Sequence, residues 1–189
     1  MDKKSLGVTP AVYPSGVVLV TSGTVDGPKN IITLAWAGNC AADPPMAVIA
    51  VRPTRLSHKM IVESGEFVIN IPNASQVWAT DYCGQVSGRR EDKFARCGFT
   101  AAPSGKVKSP SIKECPINIE CVVRNTVRAG THDVILGEII AVNADPGALG
   151  PDGRIDTAKA GLIAYGHGSY YEIGQHIGDY GFSLEQKAK

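Results

Sequence analysis

The sequence predicts a mainly β protein, an antiparallel barrel carrying short inserted helices. Three observations lead there. Six short β-rich runs are separated by Gly, Pro, Asn and Asp. In one of the two longest, Ile117, Ile119, Cys121 and Val123 put apolar side chains on alternate positions, the period of a strand with one buried face. No regular strand–helix–strand alternation appears, which removes the parallel α/β classes.

In chain order the predicted strands are Val17 to Thr21, Ile31 to Ala37, Met46 to Val51, Phe67 to Ile71, Ile117 to Val127 and Val134 to Val142. Ala129-Gly130, inside the turn from Arg128 to Thr131, predicts a hairpin pairing the last two. Helices fall between strands. One is predicted to start at Ser57 as N-cap, with Leu56 and Ile61 as a hydrophobic staple and Gly65 as its stop. A second covers Ser75 to Tyr82, before Gly84, and a third Arg90 to Arg96, ending at Gly98 with Phe94 and Ala95 packing inward. Pro103 to Pro116 reads as a surface connection and Asp145 to Asp156 as a Gly, Pro and Asp loop. The strands flanking these loops need each other to close a sheet, so one domain is expected over 1–189.

A formal net charge of +1 with interspersed signs gives no broad footprint for nucleic acid or an anionic membrane. No apolar stretch is long enough for a membrane span or signal peptide, so a soluble, unprocessed protein is expected. Five cysteines without a C-x-x-C pair point to reduced thiols in the cytoplasm.

The richest segment for chemistry is Arg52-Pro53-Thr54-Arg55-Leu56-Ser57-His58, where a strand end meets a helix start. Two guanidinium groups, hydroxyls and free first-turn amides outline a phosphate site. The same pattern also describes an ordinary cap with solvated arginines. There is no G-x-G-x-x-G, P-loop, H-E-x-x-H or G-x-S-x-G, and the four histidines are scattered, so no metal site or hydrolase is expected.

The ordered succession Pro14 to Ser22, Asn30 to Trp36, Asp43 to Met46, Val51 to Arg55 and Glu63 to Asn70 resembles the flavin reductase-like family, and within it the flavoredoxin branch. The resemblance continues through Asp81 to Gly84, Ser87 to Arg89, Asp92 to Phe94, Thr131 to Asp133, Leu136 to Glu138 and Ala164 to Gly168. It implies a six-stranded antiparallel Greek-key split barrel, forming a homodimer that holds FMN noncovalently. By the same resemblance Asn30, Thr33, Leu34, Ala35, Trp36 and Ala37 run along the flavin ring and ribityl chain. Arg52, Arg55, Ser57 and His58 lie at the phosphate end, approached by Ser87, Gly88 and Lys93. Trp36 either covers the flavin or belongs to the core. His132 either orients a nicotinamide or handles a proton, as the candidate catalytic residue, or is a turn histidine. His167, between two glycines, reaches the partner subunit's flavin or sits in a surface loop. The implied activity is NAD(P)H-dependent flavin reduction, with electrons passed to free flavin, ferric iron or a redox protein. The alternative is a noncatalytic FMN electron carrier reduced by a protein partner.

Overall fold

The computed structural model describes residues 2–187. In chain order the strands and helices are β1 (Ser15–Gly16), β2 (Val18–Gly23), β3 (Lys29–Leu34), β4 (Ala37–Ala42), β5 (Pro45–Val51), α1 (Leu56–Ser64), β6 (Glu66–Ile71), α2 (Val77–Gln85) and α3 (Lys93–Cys97). There follow β7 (Ala101–Ala102), β8 (Ser111–Ile112), β9 (Ile117–Ala129), β10 (His132–Ala144), β11 (Ile163–Gly166) and β12 (Ser169–Glu172). Seven strands form one antiparallel sheet in the order β3-β2-β6-β9-β10-β5-β4, beside small sheets β1-β11-β12 and β7-β8.

The main sheet curls into a barrel. Ile32 and Leu34 of β3 share one apolar cluster with Ile49 and Val51 of β5, although the two strands lie towards opposite ends of the sheet. Val18, Val20, Phe67, Ile69, Cys121 and Ile135 complete that interior. Each strand contributes alternate residues, as a period of two requires. The opposite face of β2 and β3 is covered separately: Leu19 and Ile31 pack with Cys83 of α2, Phe94 of α3, Ile112 and Cys115. A Cβ on Gly137 would stand 2.6 Å from the Phe67 ring, so this position of β10 has room only for glycine.

Several sequence expectations need correction. The barrel sheet has seven strands because Ala37–Ala42, poor in β-branched and aromatic residues, forms an edge strand held by β5. β3 begins earlier and stops at Leu34, with Ala35 and Trp36 outside it. The N-cap of α1 is Arg55, not Ser57, which is buried in the first turn, so the proposed staple does not apply. The second helix is a 3-10 turn at Ala74–Gln76 followed by α2, which runs through Gly84; the third is α3, capped by the Asp92 side chain, with Phe94 buried but Ala95 exposed. The 103–116 connection is largely anchored inside: Val107, Ser109, Ser111 and Ile112 are buried, and the Glu120 carboxylate accepts from the amides of Gly105, Lys106 and Val107. Polar composition misled there because a buried carboxylate satisfies the loop's backbone. The hairpin holds as expected, with His132 opposite Ala129 and Gly130 at φ 59°.

Candidate functional site

Register builds one wall of a cleft. Val51 pairs with Asp133 across β5 and β10, so Arg52, the next residue, comes beside His132. Ala37 pairs with Ile49, and the Ala50 amide donates to the Trp36 carbonyl at 2.9 Å, bringing Trp36 to the same place. The Trp36 and His132 rings lie 4.8 Å apart. Closure of the barrel then adds Ile32, Thr33, Leu34 and Ala35 from the β3 end. Opposite stand Asp81, Gly84 and Gln85 of α2, with Tyr13, Tyr165 and Tyr170 from the small sheet region. The cleft has a volume of 390 Å³, within the range of small-molecule sites.

A second hollow, only 20 Å³, shares Ile32, Arg55 and Gly84 with the cleft and so continues from it. Asn30, Leu56, Ser57, Ser87, Gly88 and Lys93 also line this niche. Its walls are tied together. Asn30 Nδ2 donates to Ser57 Oγ at 2.9 Å, joining β3 to α1. Lys93 Nζ donates to the carbonyls of Ile31 at 2.8 Å and Cys83 at 2.7 Å, joining α3 to β3 and α2. Gly88 permits this closeness, since a Cβ there would fall 2.0 Å from Asn30 Oδ1.

Electrostatically the niche favours an anion. Lys93 is 4% exposed, and among the described residues no carboxylate lies within salt-bridge distance of it. Burial pushes its ammonium below the usual lysine range; the Cys83 thiol opposes that shift and the Arg55 guanidinium adds to it. The first turn of α1 carries no acidic residue and no side-chain cap, leaving its amides to an outside acceptor. Around the cleft, burial and then the Arg52 charge push His132 below the ordinary histidine range, which favours the neutral ring. Thr131 Oγ1 lies 2.9 Å from its Nδ1.

Of the residues singled out from sequence, Thr33, Leu34, Ala35, Trp36, Arg52, Arg55 and His132 line the cleft. Asn30, Ser57, Ser87, Gly88 and Lys93 line the niche. Three do neither. Ala37 packs against the barrel core. His58 turns to β10, its Nε2 2.7 Å from Asp133 Oδ2, a carboxylate held below its usual range by that bond and by Arg128. His167, at φ 52°, stacks edge-on against Tyr13 at 5.5 Å. Sequence reading missed Tyr13, Asp81, Gln85, Tyr165 and Tyr170. Only tertiary contacts such as the 3.1 Å bond from the Tyr170 hydroxyl to Asp81 bring them to the cleft.

A flavin reductase like domain model matches residues 11–174. The chain belongs to the flavin reductase-like family. A flavoredoxin of Desulfovibrio vulgaris is 34% identical to this family member, with a TM-score of 0.90 over 98% of this chain and 100% of that one. Flavoredoxin from Methanosarcina acetivorans is 33% identical, with a TM-score of 0.88 over 97% and 100%. An uncharacterized protein of Archaeoglobus fulgidus is 37% identical over 69% of this chain and 73% of its own. The barrel is therefore the antiparallel Greek-key split barrel of flavin reductase-like proteins. No helix among the described residues is long and apolar enough to cross a membrane.

Proposed function

We propose that this flavin reductase-like protein, acting as a single domain, binds FMN noncovalently, phosphate in the niche and ring system in the cleft, and is an NAD(P)H-dependent oxidoreductase. The observation that carries the reading is Lys93, a buried ammonium on the wall of a niche that opens into a ring-sized cleft, with no carboxylate partner among the described residues. A phosphate supplies the missing anion, with Arg55, Ser57 and the α1 amides as further donors. FMN, when bound, supplies the hydride and one-electron chemistry. The chain's own task is then to grip the phosphate, cover a ring face with Trp36 and leave the other accessible. Neutral His132, beside Arg52, orients the nicotinamide carboxamide or takes a proton at its ring nitrogen.

Free flavin, ferric iron or a redox protein is the proposed acceptor. A homodimer is proposed, with His167 reaching the partner subunit's site, and a monomeric mass at micromolar concentration would remove both. Five unpaired cysteines support a cytoplasmic setting. The likeness to two flavoredoxins supports a second reading, a carrier reduced by a protein partner. Anaerobic visible spectra separate the two. Flavin bands that bleach on adding NADH or NADPH establish the reductase, bands that bleach only with a reducing partner protein establish the carrier, and FMN fluorescence left unchanged by the protein refutes both.

A further inference from the structure

Two thiols stand beside the niche. Cys83 on α2 and Cys97 on α3 face each other with their sulfurs 3.7 Å apart, while Cys115 packs in the same apolar cluster with its thiol turned to Gln76, Cys121 is buried in the barrel core and Cys40 is exposed on β4. We infer that Cys83 and Cys97 are a peroxide-sensitive dithiol that closes to an intramolecular disulfide. The pairing stands on geometry and does not depend on what the niche binds. A disulfide needs the sulfurs at about 2.05 Å, so they must approach by about 1.7 Å. The shorter of the two elements is α3, five residues long and ending at Gly98 in the left-handed region, so the approach is assigned to its C-terminal end.

Chemistry orders the steps. Cys83 is 1% exposed, whereas Cys97 is half-buried and is the one hydrogen peroxide reaches. Burial raises both thiols; at Cys97 the hydrogen bond from Cys83 and the charges of Lys93 and Arg96 offset part of that rise, whereas at Cys83 the hydrogen bond to Cys97 adds to it. The Cys97 sulfur attacks peroxide, the O–O bond breaks and one water leaves, giving the sulfenic acid. Cys83 then attacks that sulfur: the S–S bond forms, the S–O bond breaks, and a second water leaves with the Cys83 proton. Two thiols are oxidised and one peroxide becomes two waters. Lys93 shares α3 with Cys97 and donates to the Cys83 carbonyl, so the bond braces the niche wall from both sides.

The test is peptide mapping of the full chain, carrying Cys40→Ser to suppress linkage between chains, after stoichiometric hydrogen peroxide. A Cys83–Cys97 linked peptide, a loss of two titratable thiols and a raised thermal midpoint reversed by dithiothreitol are expected. With Cys97→Ser, the same treatment should leave the Cys83 thiol intact; with Cys83→Ala, a dimedone adduct should appear on Cys97. Linkage through another cysteine, or Cys97 oxidised to sulfinic acid while Cys83 stays a thiol in the Cys40→Ser chain, overturns the inference.

Discussion

The niche and the cleft are adjoining parts of one hollow, yet they are built on opposite plans. The niche is small and braced: Asn30, Ser57 and Lys93 are buried, and their hydrogen bonds run between four elements. The cleft is nearly twenty times larger in volume, and its main aromatic surface, Trp36, is 45% exposed. A preorganised polar site loses little freedom on binding, so the niche is suited to affinity. An open aromatic shelf grips weakly and leaves a ring face to reaction partners, so the cleft is suited to turnover.

That division can be broken by experiment. The largest effect is expected for Lys93→Met, which should weaken FMN binding by about 2–5 kcal/mol, the range for removing one partner of a buried hydrogen-bonded charge pair. Fluorescence titration reads it, and unchanged affinity would remove the phosphate from the niche. Arg55→Ala should cost about 1.5 kcal/mol, the low end for a hydrogen bond to a charged group, because Arg55 is exposed. Trp36→Leu should weaken FMN binding by no more than about 1 kcal/mol while changing the rate of flavin reduction in stopped flow. A larger loss of affinity there than in Lys93→Met would reverse the assignment of the two regions.

The smallest effect is the response to pH. His132 has its folded value below the ordinary 6.5, so the unfolded chain takes up this proton first. Its contribution to stability is present above about 6.5 and is lost as pH falls from there through the depressed value. Asp133, also depressed, contributes above the ordinary carboxylate value and loses that contribution as pH falls further. Thermal midpoints should therefore decline in two acid steps, the first absent in His132→Asn. The reduction rate should be level between pH 7 and 8 and change only below the ordinary histidine range.

Much of this was legible in one dimension. The β-rich runs, the hairpin at Gly130 and the segment from Arg52 to His58 follow from local patterns, and most of the site residues named by resemblance line the hollow. Ser57 shows the limit. Local spacing predicts it as the cap of α1, yet it is buried and accepts from Asn30, a residue on β3, a contact that spacing does not reveal. The resemblance puts His58 at the phosphate end, and in the fold its ring pairs with Asp133, which is distant in sequence. The edge strand Ala37–Ala42 escaped notice because its small residues carry no strand preference, and only pairing with β5 makes it one.

By itself the sequence determined the class of fold, its antiparallel pairing and the chemical types collected for an anion and a ring, because alternation, turn residues and cap patterns are local properties of the chain. Tertiary structure alone decided that Lys93 is buried against two carbonyls with no carboxylate partner among the described residues, that Trp36 meets His132 in an open cleft and that Cys83 faces Cys97. Those depend on strand register, barrel closure and the docking of α2 and α3, which bring together residues that no local pattern relates.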